Sequence, residues 1–189
     1  MYSNILNKIG NFSSEQVSIF EKRVQVRSVL KDEILLHEGE VCQTIFYVIS
    51  GSLYQYNVKN EIEENVIDLH LRDEWFLNEQ SFIAQKPSEN SIKAYSESIV
   101  LELTMQSLHA LIAESPAFFQ LGRVLEQSKS RVHFFDNRLA PIEKYLYILD
   151  NKPALIQKFP LKIIASYLKI TPETLSRVRE RLAKSKIVS

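Results

Sequence analysis

The chain has one cysteine, Cys42, among its 189 residues. A disulfide framework cannot form within it, which fits a reducing compartment such as the cytoplasm. A four-cysteine iron–sulfur cluster is excluded on a single chain for the same reason. Long hydrophobic runs are also missing. Nothing approaches the ~20 apolar residues of a membrane span, and Met1–Gly10 lacks both the apolar core and the cleavage site of a signal peptide. The expectation is a cytoplasmic protein with no membrane partner. The four histidines, His37, His70, His109 and His133, are scattered, with no pair one helical turn apart. A lone histidine is usually structural or exposed, so no metal and no haem is expected on Cys42 or His70. Nucleophile-elbow, P-loop and His-Glu-x-x-His motifs are absent. The chain reads as a non-enzyme without a cofactor.

Net charge is missing too: 23 basic side chains balance 23 acidic ones. Zero net charge argues against a polyanion binder, but the distribution reverses that reading. Residues 1–110 carry 9 Lys/Arg against 16 Asp/Glu, whereas residues 160–189 carry 7 against 2. An acidic body with a basic tip is the footprint of a protein that presents one end to a nucleic acid.

With 45% hydrophobic residues the chain can fill a core. Ser13–Gln16 has the form of a capping box and opens a helix to about Arg23. Short runs at Val24–Leu30, Glu33–Leu36, Thr44–Ile49, Ser52–Val58 and Glu64–Leu69 follow, punctuated by Gly39, Gly51 and Lys59-Asn60. Such spacing predicts an all-β roll or barrel, completed by strands at Ile92–Tyr95 and Ser98–Leu103. A short helix is expected at Asn78–Ala84, and one capped by Thr104 runs to about Glu114. From Pro116 the period changes. Phe118, Leu121, Leu125, Ser128, Val132, Phe135 and Leu139 alternate steps of three and four, a heptad seam. This stripe suits either a dimer interface or a helix laid on its own core.

Leu161–Lys184 carries the sharpest signal. Leu161–Leu168 reads as a helix and Lys169-Ile170 as a turn. Thr171 then serves as N-cap, Pro172 as first helical residue and Glu173 as a first-turn acid. Leu175, Val178 and Leu182 form one buried stripe. Thr174, Ser176, Arg177, Arg179, Glu180 and Arg181 face the other way, where short hydroxyls and long arginines reach base edges and phosphates in a major groove. The same pattern also describes an ordinary solvated basic helix.

The run from Phe159 to Leu182 resembles the C-terminal helix-turn-helix of the Crp/Fnr family of bacterial transcription regulators, as does Pro141–Leu146 ahead of it. His37–Glu40, Phe46–Gly51 and Trp75–Glu79 resemble that family's cyclic-nucleotide-binding β-roll. The resemblance implies an α+β fold with three parts. Residues 1–115 form a β-roll, 116–140 a long dimerisation helix, and 141–189 a helix-turn-helix, a winged helix whose wing is truncated. It further implies a homodimer on double-stranded DNA, with RNA polymerase and a small-molecule effector as further partners. DNA contacts fall on Lys162, Lys169, Thr171, Pro172, Glu173, Thr174, Ser176, Arg177, Arg179 and Arg181. Arg177 and Glu173 match base readers, while Pro172 stands where other members have arginine. Dimer contacts fall on Phe118, Leu121, Leu125, Ser128, Val132 and Phe135. The ligand pocket maps to Leu77, Asn78, Glu79, Gln80, Ser81, Asn90 and Ser91. In it, Asn78 replaces a glycine, the phosphate-binding arginine is missing, and Glu89 lies near its position. Lys86 and Lys93 are the nearest cations, and Lys93 alternates with Ile92 and Ala94 toward solvent. A regulator that ignores cyclic AMP is the leading expectation. A nucleotide-binding signalling module without DNA binding, and a scaffold that has lost both activities, are the rivals.

Overall fold

A computed structural model describes residues 1–59, 63–126 and 139–187. Two short helices open the chain, α1 (Tyr2–Leu6) and α2 (Ser14–Glu21). Ser13 caps α2: its hydroxyl accepts the Gln16 N–H while the Gln16 side chain accepts the Ser13 N–H. Eight strands follow: β1 (Gln25–Val29), β2 (Ile34–Leu36), β3 (Thr44–Ser50), β4 (Ser52–Lys59), β5 (Glu63–Leu71), β6 (Trp75–Phe76), β7 (Ser91–Ala94) and β8 (Ser98–Thr104). They form two four-stranded antiparallel sheets, ordered β1-β8-β3-β6 and β2-β7-β4-β5. Gly51 passes the chain from one sheet to the other. Its φ is 91°, and a Cβ there would run into Ser98 and the Glu97 carbonyl. Helix α3 (Glu79–Ala84) lies between β6 and β7, and α4 (Met105–Glu114) follows β8 with Thr104 as its N-cap.

The segment after α4 departs from the sequence reading. Pro116–Gly122 is a 3-10 helix, not the start of a heptad-repeating α-helix. With three residues per turn, every third side chain falls on one stripe. Accordingly Phe118 and Leu121 are buried in the chain's own core; Val124, in the α-helical turn 123–126 that follows, is buried there too, and Leu125 packs only partly against it. Phe118 and Leu121 are thus corrected from dimer contacts to intrachain core. Ser128, Val132 and Phe135 lie outside the described residues.

Four helices complete the chain: α5 (Pro141–Asn151), α6 (Pro153–Lys158), α7 (Leu161–Tyr167) and α8 (Pro172–Ile187). Pro141 starts α5, and the Glu143 carboxylate accepts the Ala140 N–H at 2.7 Å.

Two apolar cores share the second sheet. One lies between the sheets, joined by Phe20 of α2 and Leu111 of α4. The other joins the outer face of β4 and β5 (Tyr54, Tyr56, Val66 and Leu69) to Tyr145, Ile148, Leu155, Phe159, Ile164 and Leu175 of the C-terminal helices. Strand β4 is therefore buried on both faces: Leu53 and Gln55 on one, Tyr54 and Tyr56 on the other.

Candidate DNA-binding surface and ligand-pocket region

Helices α7 and α8 meet through a tight turn closed by Lys169, which adopts a left-handed φ of 57°. Lys144, 3% exposed, reaches across from α5, and its ammonium donates to the Leu168 carbonyl at 3.1 Å. A cation at that helix end satisfies a carbonyl that the helix itself leaves open. The sequence reading passed over Lys144 because nothing in a lone lysine within Pro141–Leu146 distinguishes a buried cap from a solvated one.

Thr171 caps α8, its Oγ1 accepting the Thr174 N–H at 3.2 Å and lying 3.1 Å from Thr174 Oγ1. The Glu173 carboxyl is held below its ordinary value, first by its own backbone N–H, then by the Thr171 hydroxyl, with Arg177 adding a favourable charge. Leu175 is buried, and Val178 and Leu182 pack beside it in the second core. Glu173, Arg177, Arg179 and Arg181 are exposed, and Pro172, Thr174 and Ser176 are half-buried. The apolar back fixes the helix, and the front offers three guanidinium groups to solvent.

The two lysines expected at DNA differ in their surroundings. Lys162 is exposed on α7. Lys169 turns toward the β-roll, donating to the Val66 carbonyl and to Asn65 Oδ1 at 3.0 Å. With Thr171 and Pro172 these lysines form one wall of a groove of about 660 Å³, and Glu63, Glu64, Asn65 and Val66 form the other.

The pocket residues are brought together, and their polar groups bond within the protein. Asn78 caps α3, its Oδ1 accepting the Ser81 N–H at 3.1 Å. Ser81 Oγ accepts the Cys42 N–H at 2.9 Å and donates to the Lys86 carbonyl at 2.5 Å. Asn90 Oδ1 accepts from Asn57 at 3.1 Å, and Ser91 Oγ accepts the Glu38 N–H at 2.9 Å. Leu77 is buried, Glu79 half-buried and Gln80 exposed. Neither nearby lysine enters the roll. Lys86 is exposed. Lys93 bonds Glu64 at 2.5 Å on the outer face, between the rings of Tyr54 and Tyr56. Burial alone would lower the Lys93 ammonium pKa, but its bonds to Glu64 and Tyr54 raise it.

A buried polar cluster that the sequence reading missed fills the interior. Gln55, Asp68 and His70 project between the sheets from facing positions on β4 and β5. Gln55 Nε2 donates to the Leu77 carbonyl at 3.1 Å and lies 3.1 Å from His70 Nε2. An amide nitrogen can only donate, so Nε2 is the acceptor and the imidazole proton resides on Nδ1. That nitrogen lies 3.8 Å from Asp68 Oδ2, and the ring stacks on Phe76 with centroids 4.3 Å apart. The signal was present in Val66–Leu71: Asp68 and His70 are two apart, hence on one face of β5. Among the described residues no three His, Cys, Asp or Glu side chains converge as metal ligands. Nor is any helix among them long and apolar enough to cross a membrane.

Residues 26–115 match the cyclic nucleotide-binding domain family. No curated protein matches the chain. Several solved structures share its fold. FixK2 from Bradyrhizobium japonicum is 17% identical, with a TM-score of 0.69 over 87% of this chain and 86% of that one. The c-di-GMP responsive global regulator CLP from Xanthomonas campestris is 17% identical, with a TM-score of 0.64 over 92% and 93%. A CooA mutant from Carboxydothermus hydrogenoformans is 18% identical, with a TM-score of 0.64 over 97% and 84%.

Proposed function

Starting from a chain that is of Crp/Fnr type in its fold and in its cyclic nucleotide-binding domain, we propose that it is a DNA-binding transcription regulator that works as a homodimer and does not respond to cyclic AMP. The observation that carries this reading is the exposed front of α8. Arg177, Arg179 and Arg181 stand out from a helix whose back is anchored by Leu175. Phosphate contacts by arginine and lysine position such a helix, and base-edge contacts give it sequence preference. The basic tip on an acidic body supports DNA over an acidic protein surface, because it aims one end of the molecule at the polyanion.

The homodimer is argued from the two-fold symmetry that helix-turn-helix readers share with their sites. With Phe118 and Leu121 committed to the core, its contacts fall to the remainder of the seam, partly buried Leu125, Ser128, Val132 and Phe135, together with half-buried Leu139. Indifference to cyclic AMP is argued from the pocket. A cyclic phosphate would meet no guanidinium there, while Ser81 N–H and Oγ, Asn90 and Ser91 are engaged elsewhere and Asp68 is buried nearby. Burying an anion without a paired cation is strongly unfavourable. That CLP is c-di-GMP responsive supports a roll of this fold serving a different effector. We assign no catalysis, no cofactor and no metal.

Selection of bound duplexes from a random DNA pool tests the reading: enrichment of a palindromic site supports it, and no enrichment at low salt refutes it. A second reading, a nucleotide-binding module without DNA contact, is favoured by the family match at residues 26–115. Nucleotide affinity in the absence of DNA affinity would establish it instead.

A further inference from the structure

We infer that Lys144 is the positioning residue of the DNA reader: from α5 it fixes the turn between α7 and α8, and so the angle at which α8 meets base edges. The inference rests on the reading that α8 meets DNA. Two turn hydrogen bonds close the end of α7. The Ile170 N–H donates to the Ala165 carbonyl and the Lys169 N–H to the Ser166 carbonyl, both at 3.1 Å. This is the Schellman arrangement, in which the residue just past the helix takes a left-handed conformation. Glycine usually fills that place. Here Lys169 does, at a φ of 57°, so the turn is strained and gains from an outside hold. Lys144 supplies it: its ammonium takes the Leu168 carbonyl, which lies at the turn and is used by neither of those two bonds.

Three features make this a positioning contact and not only a cap. Lys144 is 3% exposed, so its ammonium cannot reach a duplex and acts through the turn alone. Helix α5 already holds α8 by apolar packing, with Tyr145 and Ile148 in the same core as Leu175. Apolar contact is non-directional and lets one helix rock on another, whereas a hydrogen bond fixes direction. Lys144 adds that direction three residues before Thr171, the N-cap of α8. Finally, burying an ammonium is costly, and an apolar side chain of similar length would fill the space at less cost. A buried cation here is accounted for by geometry better than by stability. The two kinds of DNA contact then respond differently. Base-edge bonds need α8 placed to within about 0.5 Å. Long, flexible arginine side chains can follow a phosphate through a small rotation of the helix.

Lys144→Met tests this. It keeps the apolar stem and removes the donor, so the Leu168 carbonyl must turn toward water and carry the start of α8 with it. Fluorescence anisotropy at fixed salt gives affinities for the selected duplex and for a scrambled one. The selected duplex should lose about tenfold or more, and the scrambled one less than about twofold. Lys144→Arg, which retains a donor, should restore most of the ratio between them. A packing defect alone leaves that ratio unchanged, because a smaller folded fraction lowers both apparent affinities by the same factor. Equal losses on both duplexes, or no loss on the selected one, overturn the inference, as does a Lys144→Arg variant no better than Lys144→Met. If Lys144→Met does not fold, Lys144→Gln takes its place. Its amide can donate, but the stem is one bond shorter, so the turn shifts and the ratio should fall; an unchanged ratio overturns the inference. A wild-type chain that binds neither duplex would defeat the DNA reading itself, a result distinct from these.

Discussion

Replacing Arg177 with alanine isolates base reading from simple attraction. The side chain is exposed one turn into α8, four residues after Glu173, whose carboxylate is fastened to the helix start. Folding is little affected: an exposed helical arginine replaced by alanine changes stability by less than about 0.5 kcal/mol. Glu173 loses a favourable charge, and its carboxyl moves up toward the ordinary value. A bidentate base contact is worth about 1–3 kcal/mol, roughly 5- to 150-fold per half-site. Two symmetric copies on a palindrome give about 2–6 kcal/mol. A phosphate contact, by contrast, weakens all sequences alike. Anisotropy titrations on the selected duplex and on a scrambled one, at fixed salt, separate the two. The expected result is a large loss on the selected site, a small one elsewhere and an unchanged thermal melt. Equal losses on both duplexes would refute base reading by Arg177.

DNA affinity should fall steeply with salt, with a slope of log K against log salt of about −5 or steeper; a flat response would rule out DNA as the partner. Isothermal titration with cyclic AMP should show no binding tighter than about ten micromolar, and a tighter constant would mean that the roll supplies a cation for the phosphate in another way. Leu175→Ala should destabilise the C-terminal helices by about 2–5 kcal/mol in chemical denaturation, because its side chain is fully enclosed. Glu173 has a depressed folded pKa, so its contribution to the start of α8 is complete above the ordinary value of 4.5 and disappears as pH falls through the lower folded value. Amide exchange at Thr174 should therefore be steady from pH 7 to about 5 in intrinsic-rate-corrected terms and rise only below that.

Strand periodicity made most of the roll legible. The runs Thr44–Ile49 and Ser98–Leu103 lie within a residue of β3 and β8, and the caps at Ser13, Thr104 and Thr171 form as their hydroxyl chemistry suggests. Strand β6 escaped notice because Trp75-Phe76 is too short to show a period. Helix α6 is likewise brief, a single six-residue turn and a half opened by Pro153. The 3-10 turn at Pro116–Gly122 was misread because periods of three and of three-and-a-half coincide over two turns and separate only at Val124 and Leu125. Of the candidate site, the chemistry of α8 was legible residue by residue. The partners of Lys169 and Lys93 were not, since both are bonded to segments far away in sequence.

From Leu53 to Tyr56 strand β4 has no face turned to water, and the C-terminal helices take part of their core from its tyrosines. This has a calorimetric consequence. A preformed reader that docks on DNA buries surface, and its heat capacity falls. If docking here first parts the helices from Tyr54, Tyr56, Val66 and Leu69, apolar surface is hydrated in the same event, and that raises the heat capacity. The two contributions oppose, so the temperature dependence of the binding enthalpy should be unusually shallow for the area of DNA covered.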